Sequence, residues 1–268
     1  MTRPNFMISG AAKAGTTSLY RYLRQHPQIY MTPTKETNYF ALVGHSLDYT
    51  GPGDQDYITR FSVTTPEGYA AQFAGVQGER AIGEASPLYL YDAQTPGRLK
   101  AAVPDIRLVA VLREPVTRAY SAFSRLVRDG REPAASFAEA LALEEDRIAA
   151  GWEHIWHYTR MGRYAEQLRR YQALFAPEQL RVYLHDDLLR RPDWVMQDLL
   201  NFLEVDPSAL PDQSVRHNVS ALGLPHLPPL LPEVQERLEV LFAPEREALA
   251  ELLGRDLRDW ERQILTAY

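Results

Sequence analysis

The stretch NFMISGAAKAGTTSLYRYLRQ, from Asn5 to Gln25, restricts the possible folds of this chain more than any other. Asn5 to Ser9 is a short apolar run closed by Gly10, the pattern of a buried strand. Thr17 to Gln25 carries Leu19, Tyr20 and Leu23 at helical spacing, and His26-Pro27 stops it. A strand, a glycine loop and a helix in succession open a parallel α/β fold. Gly10 and Gly15 also stand at the spacing of the phosphate loop G-x-x-x-x-G-K-[ST], with Thr17 in its hydroxyl position. Thr16 occupies the lysine position, and the nearest lysine is Lys13, inside the loop.

Such a loop turns several backbone N–H groups into one concavity at a helix N-terminus, where amide donors and the helix dipole favour an anion. Lys13 adds a full charge, and Thr16, Thr17 and Ser18 add hydroxyl donors on the first turn. A glycine-rich turn after a strand is often only a turn; the hydroxyl triplet and the lysine together favour anion binding. In a triphosphatase the lysine after the second glycine reaches the β/γ-phosphates, and an acidic residue after another strand helps hold Mg²⁺. Here the clearest central strand, Arg107 to Leu112 (RLVAVL), is followed by Arg113 instead of an aspartate. Glu114, between Arg113 and Arg118, fits a second anion site better than a metal site.

Along the rest of the chain, apolar runs predict strands at 28–31, 80–84 and 180–184. Helical periodicity predicts helices at about 116–128, 136–149, 163–174 and 194–203. A last helical segment, 233–260, is expected to break near Pro244 and Gly254. Residues 41–79 and 207–232 read as irregular, the former with one helix around Tyr57 to Phe61. The expected fold is α/β: a P-loop-like three-layer arrangement, a central mostly parallel sheet flanked by helices, in one domain over 1–268.

Composition excludes more than it identifies. The 268 residues include no cysteine, so disulfides and thiolate metal sites are ruled out. A net charge of −6 argues against a general nucleic-acid partner but leaves room for a local basic pocket. No run approaches the roughly 18 apolar residues of a membrane span, and the N-terminal run is too short for a signal segment. A cytoplasmic protein is the resulting expectation; oligomeric state is not legible.

FMISGAAKAGTTSLYRYLRQHPQIYMTPTKETNYF, GEASPLYLY, LREPVTRAYSAF, GRYAEQL, LRVYLHDDLLRRP and LLGRDLRDW together resemble the sulfotransferases that use 3′-phosphoadenosine 5′-phosphosulfate (PAPS). The likeness is to the bacterial branch related to heparan-sulfate sulfotransferases, and it runs over nearly the whole chain. It implies transfer of a sulfuryl group from PAPS, leaving 3′,5′-ADP, with no metal required. It implies a 5′-phosphosulfate loop of Lys13, Ala14, Gly15, Thr16, Thr17 and Ser18, with Lys13 stabilising charge on the leaving phosphate. Arg113 and Ser121 match the pair that grips the 3′-phosphate, and Arg216, in RHNVS, falls where the family places a loop over the nucleotide. Arg118 is a weaker candidate that reads equally well as a solvated helix-face charge.

The same resemblance makes Glu36, in TKETNYF, the general base, with Lys35 holding it ionised or positioning the sulfuryl group. Without it, Lys35-Glu36 reads as a solvated turn pair. Asn38, Ser86 and Tyr89 are placed toward the acceptor. Two departures bear on that acceptor: Asn38 stands where polysaccharide members often have histidine, and Ala85 where many have lysine. They weaken the case for a heparan-like acceptor without touching sulfuryl transfer, and leave a saccharide or small-molecule hydroxyl, or less readily an amine. Competing readings are a small-molecule kinase with a P-loop and a non-catalytic nucleotide-binding relative. His154 and His157, at i and i+3 in WEHIWHY, lack an obvious third ligand and read as packing or acceptor wall. His185-Asp186-Asp187, after a strand, reads as the cap of the next helix.

Overall fold

The computed structural model describes residues 2–213, 227–258 and 260. Five strands, β1 (Phe6–Gly10), β2 (Ile29–Met31), β3 (Ala81–Ala85), β4 (Arg107–Leu112) and β5 (Leu180–Leu184), form one sheet in the order β2-β3-β1-β4-β5. Every neighbouring pair is parallel. β1 is buried along its whole length, and β4 everywhere except at Arg107. That accounts for their unbroken apolar sequences, since a parallel strand is covered on both faces. Phe6 pairs with Gly83 across β1 and β3, and a Cβ at Gly83 would lie 2.3 Å from the Phe6 ring. The glycine in β3 is therefore a packing requirement.

Because the strands are parallel, the segments that follow them leave from a common carboxyl edge, where open α/β sheets bind their ligands. The segment after β1 leads to helix α1 (Thr16–Leu23), which buries Thr16, Leu19, Tyr20, Tyr22 and Leu23.

The chain divides into two compact units. The first comprises Met1–Leu47, Thr59–Leu112 and Leu168–Asn218, and contains the sheet. The second comprises Asp48–Ile58, Arg113–Gln167 and Val219–Tyr268. It is built on the helix Pro115–Arg128, whose Val116, Tyr120 and Phe123 pack with Phe137, Trp156, Tyr158, Leu238 and Phe242.

Several expected elements differ from those observed. Residues 41–79 contain two helices of more than one turn, Asp54–Phe61 and Pro66–Ala71; the second has Thr65 as its N-cap, accepting from the Gly68 N–H at 3.2 Å. Helices Leu88–Tyr91 and Thr95–Ala102 were not anticipated; the Asp92 carboxylate accepts the Thr95 N–H at 2.7 Å and starts the latter. The expected helix over 136–149 is two helices, Phe137–Ala142 and Glu144–Ala149. The expected break at Pro244 does not occur, and the helix Pro232–Leu253 runs on to Gly254 at φ 59°. Leu238 and Phe242 before the proline and Leu249 after it are all buried. That packing offsets the roughly 3 kcal/mol an interior proline costs.

Candidate functional site

At the first turn of α1 the backbone is set for an anion. Gly15 takes the N-cap position with φ 98° and ψ 7°, the side of the map open to glycine. It supplies no side-chain cap, and no acidic residue lies in the first turn. Lys13 has a positive φ as well, at 69°. The Ala11 N–H is taken by the Val111 carbonyl at 2.7 Å, which ties the start of the loop to β4. Thr16 is buried, while Lys13, Thr17 and Ser18 keep part of their surface. His185, the residue after β5, packs against the loop: a Cβ on Gly15 would lie 3.3 Å from its Cδ2. Amide donors, hydroxyls and one lysine at a helix start, with no carboxylate among them, fit a phosphate or sulfate ester.

Beside β3 a second cluster forms in the same unit. Thr32 donates its N–H to Gly83 and Glu36 donates its own to Ala85, at 3.0 and 2.9 Å, so residues 32–36 continue along the end of β3. The Tyr20 hydroxyl on α1 donates to the Thr32 carbonyl at 2.6 Å and fastens this segment to the helix of the phosphate loop. Lys35 and Glu36 form an ion pair whose side chains are 15% and 31% exposed. The carboxylate is therefore reachable from outside. Glu36 and Asn38 both lie in the left-handed region, with φ of 68° and 52°.

Glu84, in β3, was not singled out from sequence. It is fully buried, and its carboxylate collects four hydroxyls: Tyr69 at 2.6 Å and Tyr89 at 2.9 Å on Oε1, Ser86 at 3.1 Å and Thr37 on Oε2. Burial raises its pKa, and these hydroxyls offset only part of the rise. Tyr69 and Tyr89 are raised well above the usual phenol range, chiefly by burial and then by the Glu84 charge, so both remain donors. Ser86 and Tyr89, expected to face an acceptor, are thus fully buried members of this network. Tyr89 and Tyr91 lie in the single helical turn Leu88–Tyr91. Asn38 gives its N–H to Ser86 Oγ at 3.1 Å and its side-chain amide to Ser62 at 3.2 Å.

In the second unit, Arg113 donates from Nε to Thr117 Oγ1 at 3.2 Å. Thr117 stands one turn before Ser121 on the helix Pro115–Arg128, so the two share one face, and Arg113 is hydrogen-bonded to the first of them. Glu114 is the helix's N-cap, accepting from Val116 and Thr117 at 2.9 and 2.6 Å, and burial raises it to about 7. Arg118 is fully buried, with Nη2 donating to the Tyr158 carbonyl, which removes the solvated-face reading. His154 and His157 are lowered to about 4 and about 3 by burial and stay neutral. Among the described residues no cluster of three or more His, Cys, Asp or Glu is placed to hold a metal ion. None of their helices is long and apolar enough to cross a membrane. Arg216 lies outside the described residues. The expected cap after β5 is present: Asp187 accepts the Leu184 N–H at 2.9 Å at the start of helix His185–Arg190.

Comparison with known proteins agrees with this architecture. The model of the Sulfotransferase family matches residues 4–209. A crystal structure of a sulfotransferase from Alicyclobacillus acidocaldarius superposes with a TM-score of 0.88 at 41% identity, covering 97% of this chain and 100% of that one. The human bifunctional heparan sulfate N-deacetylase/N-sulfotransferase 3 is 27% identical over 76% of this chain and 22% of its own length. Human carbohydrate sulfotransferase 15 is 25% identical over 96% of this chain and 54% of its own. The chain thus spans about a fifth of the length of the first of these curated relatives and about half that of the second. On the family match and the fold, the chain belongs to the sulfotransferase family.

Proposed function

We propose that this protein transfers the sulfuryl group of PAPS to a hydroxyl of a saccharide or small-molecule acceptor, with Glu36 as the base. The observation that carries this reading is the partly exposed Lys35–Glu36 pair, held along the end of β3 and tied through Tyr20 to the helix that carries the phosphate loop. Bound PAPS supplies an activated sulfuryl group whose leaving group is 3′,5′-ADP. As the acceptor oxygen–sulfur bond forms and the sulfur–oxygen bond to the phosphate breaks, Glu36 takes the acceptor's proton. Lys13 and the α1 amides meet the charge that grows on the departing phosphate oxygen. Lys35, paired with Glu36, holds that carboxylate in place for the acceptor.

The roles of Arg113 and Ser121 toward a 3′-phosphate rest on the family resemblance, and the bond from Arg113 to Thr117, one turn before Ser121, is compatible with it. A saccharide acceptor is supported by the names of the heparan sulfate and carbohydrate relatives. Asn38 and Ala85, where histidine and lysine would help read an acidic sugar, favour a less acidic one.

The test is incubation with PAPS and a panel of chondroitin and heparosan oligosaccharides, neutral oligosaccharides and phenols, with 3′,5′-ADP and sulfated product followed by mass spectrometry. Glu36→Gln should lose at least about 10²-fold in turnover, the scale of general base catalysis. Its affinity for 3′,5′-ADP should stay within about twofold of wild type, because no nucleotide contact is assigned to that carboxylate. Absence of any 3′,5′-ADP or PAPS binding in calorimetry would refute the reading.

A further inference from the structure

A buried carboxylate is costly unless its lone pairs are filled, and an ionised one has about four acceptor sites. Glu84 fills them with the hydroxyls of Thr37, Tyr69, Ser86 and Tyr89. An apolar residue at this core position would carry no such desolvation cost.

What the network grips accounts for that cost. Thr37 is the residue after Glu36, and its hydroxyl is bound directly by Glu84. Ser86, held by Glu84, accepts the Asn38 N–H. Tyr89, also held by Glu84, accepts the Phe40 N–H at 3.3 Å. From the other side, the Glu36 N–H is fixed on Ala85 and the Thr37 carbonyl accepts from Val63 at 2.7 Å. The segment so gripped contains two non-glycine residues at positive φ, Glu36 and Asn38. Each such residue is strained and persists only where its surroundings over-determine it.

We propose that Glu84 is a positioning residue for sulfuryl transfer: through Thr37, Ser86 and Tyr89 it holds the 36–40 turn in the strained form that presents Glu36 beside Lys35. The inference rests on Glu36 being the base. Glu84 itself touches neither donor nor acceptor, being fully buried. Replacing its carboxylate by an amide removes the acceptor of one pair, Thr37 with Ser86 or Tyr69 with Tyr89, and through Thr37, Ser86 or Tyr89 the turn loses a hold and relaxes. A relaxation of about 1 Å at the base is enough to cost roughly 10²-fold in rate.

The experiment compares Glu84→Gln, Thr37→Val, Thr37→Ser and Glu36→Gln, using PAPS and whichever acceptor of the panel above is turned over. Readouts are kcat, KM for PAPS, 3′,5′-ADP affinity by calorimetry, and melting temperature. Expected for Thr37→Val and Glu84→Gln is a kcat lower by about 10- to 100-fold, with PAPS KM and 3′,5′-ADP affinity within about threefold of wild type. Thr37→Ser, which keeps the hydroxyl, should restore kcat to within about threefold. If Glu84→Gln does not fold, the two Thr37 variants decide alone. An inactive Glu36→Gln with fully active Thr37→Val overturns the positioning role and leaves the base in place. Equal activity of the Thr37→Ser and Thr37→Val variants, or parallel loss of kcat, affinity and melting temperature, also overturns it. Full turnover by Glu36→Gln overturns the base, and the positioning role with it.

Discussion

Gly15→Ala is the sharpest perturbation of the loop proposed to hold the nucleotide. The substitution adds one carbon at a residue whose φ is 98° and ψ 7°. An L-residue on this side of the map costs about 1–2 kcal/mol, and 98° lies well beyond the usual left-handed value near +57°. The new Cβ would also sit 3.3 Å from His185 Cδ2 and 3.4 Å from Leu188 Cδ1, contacts that require each neighbour to give by a few tenths of an ångström. Taken together the native state should lose about 2 kcal/mol, a drop of roughly 4–8 °C in melting temperature for a chain of this size. If the loop instead relaxes toward negative φ, strain is relieved but the amides at the start of α1 swing out of register. Affinity for 3′,5′-ADP should then fall by at least about tenfold, or 1.4 kcal/mol. Thermal unfolding without ligand, followed by calorimetric titration with 3′,5′-ADP, measures both quantities. Unchanged stability together with unchanged affinity would show that the left-handed corner at Gly15 does not aim the amides.

Other changes act elsewhere. Arg113→Ala should weaken 3′,5′-ADP by roughly 10- to 100-fold, the loss of one charge-assisted hydrogen bond, with little change in melting temperature; calorimetry at two salt concentrations checks it. Glu114 ionises near 4.5 when unfolded and is held protonated to about 7 by burial when folded. The folded state therefore binds the extra proton between those values, and stability present below pH 4.5 is lost as pH rises to 7, by roughly 3 kcal/mol. Glu114→Gln should flatten that part of the stability profile in urea unfolding, and an unaltered pH slope would count against the raised pKa.

Much of the fold is legible because its signals are local. β1, β4 and β5 announce themselves as apolar runs, and the glycine loop with α1 lies within a single stretch of chain. The strand order and the common carboxyl edge follow from parallel pairing, which periodicity suggests but does not order. Glu84 was missed for a different reason. An acid at the end of an apolar strand is a visible oddity, but its meaning depends on Thr37 and Tyr69, which come from segments 47 and 15 residues away. Tyr89 alternates with leucines in the sequence, and only burial shows that it and Ser86 serve a carboxylate. The helix Pro66–Ala71 carried a readable start, threonine then proline, within a stretch too rich in glycine and proline to show a period. Arg118 shows the limit of charge as a guide: a helix-face arginine is mostly solvated, and this one is buried because Tyr158 offers its carbonyl.

The two halves of the first unit's site differ in how the chain encodes them. The phosphate loop is set by consecutive residues, so its shape needs little beyond β1, α1 and one carbonyl of β4. The turn at Glu36 is set by a carboxylate that gathers hydroxyls from positions 37, 69, 86 and 89. Tyr69 therefore belongs to the working parts of the molecule although it sits in a helix with no residue of the loop. On the proposed positioning role, variation around it reaches the base at one remove and passes the nucleotide by. Donor recognition is then fixed locally, while the timing of proton removal stays open to adjustment from a distance.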